Sequence, residues 1–85
     1  MDIKEIKYTE SYKRDIKKLG TPELLKRIEK QIKKIIANPN VGKPLKYGFA
    51  GTKEVKITPY RLIFSVESNT LVLWRFGHRG KIFRR

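Results

Sequence analysis

The chain has 85 residues, and its 21 Lys and Arg against 8 Asp and Glu give a formal net charge of +13 at pH 7. The lack of cysteine excludes disulfides and thiolate metal sites, and a single histidine argues against structural zinc, so we expect no cofactor. No apolar run reaches the ~18–20 residues that span a bilayer. We therefore expect one cytoplasmic domain over residues 1–85 that binds a polyanion and no membrane.

The N-terminal segment predicts a strand followed by a helix. Residues 2–8 alternate imperfectly between apolar and polar side chains, as expected of a half-buried strand. Thr9 or Ser11 can cap a helix that runs to Leu19, because the apolar residues of this stretch recur on one helical face. Gly20 then ends the helix.

A second helix follows directly. The run Thr21-Pro22-Glu23 combines a capping hydroxyl, a proline suited to the first turn and an acidic side chain near the positive end of the helix. Leucine and isoleucine residues form a continuous apolar stripe along residues 24–36. Asn38-Pro39 stops the helix, since the residue before a proline avoids helical angles. The two helices are expected to form a hairpin.

From Gly42 onward, short runs of branched and aromatic residues are separated by Gly, Pro, Ser and Asn, which is typical of antiparallel strands. A glycine-flanked loop carrying His78 and Arg79 is expected near the C-terminus. The fold class is therefore α+β, with two N-terminal helices packed on one face of a mostly antiparallel sheet of four or five strands. Beyond the first strand, the predicted strands cover residues 44–47, 53–58, 60–66 and 70–76.

Side-chain alternation predicts which residues occupy the open face of this sheet. Val55 and Ile57 point one way in their strand, so Glu54 and Lys56 point to the face that the helices leave uncovered, where Arg61 is expected to join them. A basic concavity of this kind favours RNA as the partner. The later strand and tail add Arg75, Arg79, Arg84 and Arg85 to the concavity, whereas Trp74 and Phe76 are expected in the core by alternation with Val72.

The segment Lys56-Ile57-Thr58-Pro59-Tyr60-Arg61-Leu62-Ile63-Phe64, followed by Gly77-His78-Arg79, resembles the RelE/ParE superfamily of toxins from type II toxin–antitoxin systems. The order of the first strand, the helix pair and Gly42-Lys43-Pro44-Leu45 also fits, so the resemblance covers nearly the whole chain. It implies a RelE-like fold and an mRNA interferase, a metal-independent endoribonuclease that cuts mRNA in the ribosomal A site and inhibits translation. It further implies a RelB-like inhibitory antitoxin, with which the chain forms a hetero-oligomer.

The resemblance also implies roles for single residues. Arg61 would contact the scissile phosphate, Arg79 would stabilise that phosphate or protonate the leaving oxygen, and Lys56 matches a basic catalytic residue of the preceding strand. The RNA-binding residues implied around these three are Lys53, Arg75, His78, Phe83, Arg84 and Arg85.

Two positions depart from the family pattern. Some RelE-like sequences carry a Lys-x-Lys pair on the strand before the Tyr-Arg motif, whereas Glu54-Val55-Lys56 offers one cation and an acid. The carboxylate of Glu54 can pair with a cation or serve as a base. Phe83 stands where the family favours a tyrosine, and its ring can stack on a nucleobase for about 1–3 kcal/mol but cannot donate a hydrogen bond.

Two other functions compete with mRNA cleavage. A ParE-like inhibitor of DNA gyrase would act by binding alone, and a catalytically degenerate homologue would bind nucleic acid in a salt-dependent way without cutting it. The convergence of Lys56, Arg61 and Arg79 favours the nuclease, since a protein target does not require three cations in one concavity.

Overall fold

The computed structural model describes residues 2–46 and 49–83, which contain a five-stranded sheet and three helices. The predicted α+β class is confirmed, and the two long helices lie between the first and second strands in the chain. In chain order the elements are β1 (Glu5–Tyr8), α1 (Glu10–Leu19), α2 (Pro22–Ala37), β2 (Lys43–Pro44), β3 (Lys53–Ile57), β4 (Tyr60–Glu67), β5 (Thr70–His78) and α3 (Arg79–Ile82).

The ends of β3 and β4 differ from the predicted ones by one residue, and three other predicted boundaries were further off. β1 begins at Glu5 rather than at residue 2, and β2 has two residues in place of 44–47, of which residue 47 lies outside the described residues. β5 continues to His78, so Gly77 and His78 belong to the strand, and Arg79 begins α3 where the sequence predicted a loop. Pairing with β4 holds this extension in place, because Tyr60 lies opposite His78.

Local sequence sets where the two long helices begin. The Thr9 side chain, rather than that of Ser11, accepts a hydrogen bond from the Tyr12 N–H at 3.0 Å. Thr21 accepts one from the Leu24 N–H at 3.2 Å, and the proline of α2 occupies its first turn as predicted. Each cap satisfies a backbone donor that has no partner within the helix, which stabilises the helix by ~1 kcal/mol.

The strands lie in the order β1-β5-β4-β3-β2. The three pairs among β2, β3, β4 and β5 are antiparallel, whereas β1 runs parallel to β5 at one edge of the sheet. Parallel pairing is possible here because α1, α2 and the following strands carry the chain back before β5 begins. The prediction of a mostly antiparallel sheet is confirmed.

One face of the sheet packs against the helical hairpin and forms the core. The predicted apolar stripe supplies the buried residues of α2, and α1 adds Tyr12. Alternating residues of β3, β4 and β5 meet them. The buried core consists of Tyr12, Leu24, Ile28 and Ile35 from the helices and Ile57, Leu62, Phe64, Leu71, Leu73 and Phe76 from the sheet. The opposite face therefore carries Glu54, Lys56 and Arg61, as alternation predicted.

An irregularity in β5 changes which of its side chains reach the core. Phe64 pairs with Leu73 but the preceding Ile63 pairs with Arg75, so Trp74 is an extra residue, as in a β-bulge. The Trp74 indole lies on the open face, where its Nε1 donates to Ser65 Oγ at 2.8 Å. The prediction of Trp74 in the core was therefore wrong, since it is 38% exposed, whereas Phe76 is fully buried as predicted.

Candidate functional site

Two basic side chains come together through strand pairing. Lys56 of β3 lies opposite Arg61 of β4, so both point to the open face of the sheet. Lys56 is exposed, and the Arg61 side chain is 20% exposed. Gly77 of β5 lies opposite Arg61 on its other side and adds no side chain to this row.

Helix α3 brings a third cation to the same place. A Cβ atom at Gly77 would lie 2.9 Å from Ile82 Cγ2, so the glycine allows α3 to pack closely against β5. Ile82 is buried by this packing. Arg79, at the start of α3, thereby reaches Glu54 of β3, with Nε of Arg79 3.9 Å from Glu54 Oε1. Arg79 itself is largely exposed, with 60% of its side chain accessible.

Glu54 lies between the two arginines. Its Oε1 is 4.0 Å from Arg61 Nε and 3.9 Å from Arg79 Nε, and only 7% of its side chain is exposed. A carboxylate this deeply buried is stable only beside positive charge. The three cations Lys56, Arg61 and Arg79 against this one carboxylate leave the cluster with an excess of positive charge. We call these four residues the arginine cluster.

The arginine cluster is not saturated with hydrogen bonds. Glu54 Oε2 and Arg61 Nε are both buried, and neither has a hydrogen-bond partner among the described residues. The guanidinium of Arg61 uses Nη1 to donate to the Tyr60 carbonyl oxygen at 3.2 Å. A buried donor without an acceptor favours the arrival of an anionic acceptor such as a phosphate oxygen.

Phe83 lies beside the arginine cluster, on the side of Arg79. The Cζ atom of Arg79 is 5.4 Å from the centre of the Phe83 ring, within the range of a cation–π contact. Phe49 packs edge-on against Phe83, with 5.0 Å between ring centres. An aromatic surface thus adjoins the exposed cation, which suits a nucleobase next to a phosphate.

Two other residues of the predicted RNA-binding set, Lys53 and His78, lie elsewhere. Lys53 alternates with Glu54, and its Nζ donates to the Pro39 carbonyl oxygen at 3.3 Å, so it holds the loop after α2. His78 contacts Tyr60, with ring centres 4.7 Å apart, and Tyr60 in turn packs on Phe76 of the core. His78 therefore lies toward the face opposite the arginine cluster. Arg84 and Arg85 lie outside the described residues.

Arg75 shares the open face but is held by a residue that the sequence analysis missed. Its Nε and Nη2 donate to Asp15 Oδ2 and Oδ1 at 2.8 and 3.2 Å, and the Phe76 N–H donates to Asp15 Oδ2 at 2.9 Å. The hydrogen bond to Asp15 raises the pKa of Arg75 above its ordinary value, although burial opposes this. Asp15 is the one acid between Glu10 and Glu23 in the sequence, but nothing local indicates its partner 60 residues away.

A cleft of about 450 Å³ lies next to Arg75 on the open face. It is lined by the start of α1, by Phe49 and Thr52, and by Ile63 and Trp74.

Within residues 2–46 and 49–83, no group of three His, Cys, Asp or Glu side chains is placed to hold a metal ion. None of the helices in these ranges has the length and hydropathy of a membrane span.

The sequence of this chain is similar to those of known toxins. Residues 6–83 match the model of a family described as the ParE toxin of the type II toxin–antitoxin system parDE. Toxin RelG of Mycobacterium tuberculosis is 34% identical over 83 residues, which cover 94% of this chain and 95% of that toxin.

Solved structures agree with these sequence matches. The toxin–antitoxin complex RelBE2 of M. tuberculosis contains a chain that is 30% identical, with a TM-score of 0.74, and the match covers 88% of this chain and 96% of that one. The DinJ-YafQ complex of Escherichia coli matches with a TM-score of 0.79 at 18% identity, over 99% of this chain and 100% of that one, which shows a shared fold.

Proposed function

The chain belongs to the RelE/ParE superfamily of toxins of type II toxin–antitoxin systems, and from this premise we propose that it is a ribosome-dependent mRNA endonuclease. The observation that carries this proposal is the approach of Arg61 and Arg79 to a single carboxylate oxygen, within 4.0 Å, on the open face of the sheet. Two guanidinium groups at one point suit the recognition of a phosphate whose negative charge increases during reaction.

In the proposed reaction, the 2′-hydroxyl of the substrate attacks the adjacent phosphorus. The hydroxyl gives up its proton to solvent water as the O2′–P bond forms, and the P–O5′ bond breaks as the leaving oxygen takes up a proton from solvent, so the reaction consumes no proton overall. The products are a 2′,3′-cyclic phosphate and a 5′-hydroxyl. Arg61 and Arg79 stabilise the dianionic phosphorane, and Lys56 adds positive charge at the exposed side.

The remaining residues of the arginine cluster and its surroundings orient the RNA. Phe83 offers a ring on which a nucleobase next to the scissile phosphate stacks, and the cation–π contact with Arg79 keeps that ring beside the phosphate site. The lysines of α2 face solvent, so they would contact ribosomal RNA through charge alone.

A cognate antitoxin is the protein partner. The solved relatives include the complexes RelBE2 and DinJ-YafQ, in which a toxin of this fold is bound to its antitoxin. With a net charge of +13, this chain suits an antitoxin whose segment combines acidic with apolar side chains. Co-expression with the product of the neighbouring gene should yield a stable complex, and its failure to form would contradict this assignment.

The test uses programmed ribosomes with a defined codon in the A site and maps mRNA ends by primer extension. We expect cuts within the A-site codon for the wild-type toxin and none for Arg61→Ala. Arg27→Ala, which removes an exposed arginine of α2 outside the arginine cluster, should cut like the wild type. Circular dichroism of each variant separates loss of chemistry from loss of fold.

The match to the ParE family model favours a second candidate, the inhibition of DNA gyrase by binding. Intact mRNA in the ribosome assay would exclude the nuclease, and a supercoiling assay would then identify a gyrase inhibitor. Salt-dependent RNA binding without either activity would indicate a toxin homologue that has lost catalysis.

A further inference from the structure

Glu54 stands at the centre of the arginine cluster, yet phosphate chemistry does not itself require an acid there. Its Oε1 is within 4.0 Å of Nε of both Arg61 and Arg79, so the two cationic side chains approach each other closely. Like charges at such separations repel, and each long side chain has many alternative rotamers in solvent. A buried carboxylate between them opposes the repulsion and favours one arrangement.

Burial argues against the alternative role of Glu54 as general base. A base must come within ~3 Å of the hydroxyl whose proton it accepts. The Glu54 side chain is 7% exposed, and its Oε2 is inaccessible to solvent. The side chains of Arg61 and Arg79 are 20% and 60% exposed, so a substrate phosphate would meet them before it meets the carboxylate.

We infer that Glu54 is a positioning residue, which holds Arg61 and Arg79 together as one phosphate-binding unit and does not itself exchange protons with the substrate. This inference rests on the proposed function for its catalytic consequence, but the ordering of the two arginines is a property of the free protein. Glu54 lies on β3, Arg61 on β4 and Arg79 on α3, so the carboxylate joins three elements at the site.

The kinetic test is the isosteric substitution Glu54→Gln in the ribosome assay. The substitution removes one negative charge beside the RNA, so we expect binding of an RNA oligonucleotide to be unchanged or tighter. We expect the cleavage rate at saturation to fall about tenfold or more, because the arginines lose their common anchor. The pH profile of the residual rate should keep its shape, whereas loss of its acidic limb would identify Glu54 as the base and overturn the inference.

The second test needs no cleavage activity. In the toxin freed from its antitoxin, the Nε–H signals of arginine side chains can be followed by NMR. We expect Glu54→Gln to move the Arg61 and Arg79 signals toward those of a mobile, solvated arginine. The Arg75 signal should stay in place, because its hydrogen bonds to Asp15 are independent of Glu54.

The outcomes separate the inference from the proposed function. Failure of the wild type to cut mRNA would contradict the proposed nuclease activity, but the NMR test of arginine ordering would still apply. Unchanged Arg61 and Arg79 signals in a folded Glu54→Gln protein would overturn the inference whatever the activity. Should that variant fail to fold, Glu54→Asp keeps the charge but withdraws it by one methylene, and we expect a smaller shift of the same two signals and a smaller loss of rate.

Discussion

Two carboxylates bind arginine side chains of the sheet, Asp15 from α1 and Glu54 from β3, and they differ in how many hydrogen bonds each carboxylate accepts. Asp15 receives three hydrogen bonds of 2.8–3.2 Å, two from Arg75 and one from the Phe76 N–H. Glu54 lies 3.9–4.0 Å from Arg79 and Arg61, and its Oε2 is without a hydrogen-bond partner among the described residues.

The difference is the one expected between a structural ion pair and the proposed phosphate-binding site. The Asp15 site joins α1 to β5 and leaves its carboxylate with good donors, so it adds stability and offers little to a ligand. The Glu54 site keeps a buried donor, Arg61 Nε, without an acceptor, which lowers stability, and it leaves the exposed side chain of Arg79 available to a phosphate. Substitutions at the two sites should therefore affect different measurements.

The largest effect is expected for Arg79→Ala in the arginine cluster. Arg79 is 60% exposed, so its removal should change the free energy of unfolding little. Loss of a cation that stabilises the phosphorane should lower the rate of mRNA cleavage by ~10²–10³-fold. Arg27→Ala serves as the matched control, and an Arg79→Ala protein that cuts at the wild-type rate would contradict the assigned role.

Asp15→Ala should lower stability and leave the cleavage rate unchanged, the reverse of Arg79→Ala. It removes the acceptor of the Phe76 N–H and leaves the half-buried Arg75 guanidinium unpaired, so we expect it to lower the free energy of unfolding by about 2–4 kcal/mol. Urea unfolding measures this, and the cleavage rate per folded molecule should stay unchanged. Glu29→Ala, which breaks an exposed pair with Lys33, should change stability by less than about 0.5 kcal/mol.

Much of the fold could be predicted because its signals are local. Thr9 and Thr21 cap their helices, the apolar stripe of residues 24–36 marks the buried face of α2, and alternation places Lys56 and Arg61 on the open face. These features depend on neighbours within a few residues, so the sequence contains them directly.

The features that sequence analysis missed depend on pairing between distant segments. Val72 lies opposite Ser65 on the open face, so Trp74 shares that face with Val72, and the extra residue in the register between β4 and β5 turns Phe76 back to the core. The same register carries β5 on to His78, which contacts Tyr60 away from the arginine cluster. The ion pair between Arg75 and Asp15 joins positions 60 residues apart, so the sequence does not indicate it.

Tyr12, near Asp15 on α1, should make the free energy of unfolding depend on pH. Burial, with smaller contributions from Tyr8 and Asp15, raises the pKa of Tyr12 to about 12. The unfolded chain loses this proton near pH 10 while the folded protein keeps it, so the stabilisation is complete below pH 10 and is lost as pH rises toward 12. We expect the wild type to lose up to about 2–3 kcal/mol more than Tyr12→Phe over this range, measured by urea unfolding. If the free energy of unfolding fell equally with pH in the two proteins, a buried, protonated Tyr12 would be contradicted.

The smallest effect is expected at the exposed edge of the arginine cluster. Lys56 lies opposite Arg61 but is exposed, so it should contribute to RNA binding through charge rather than through a fixed contact. Lys56→Ala should reduce the slope of log K against log salt for a single-stranded RNA by about 0.7, the value expected when one phosphate charge fewer is neutralised. Lys30→Ala on α2 should leave the slope for a short oligonucleotide unchanged. An equal decrease for both variants would mean that the RNA responds to the overall charge of +13 and not to this face, which would weaken the contrast between the two carboxylate sites.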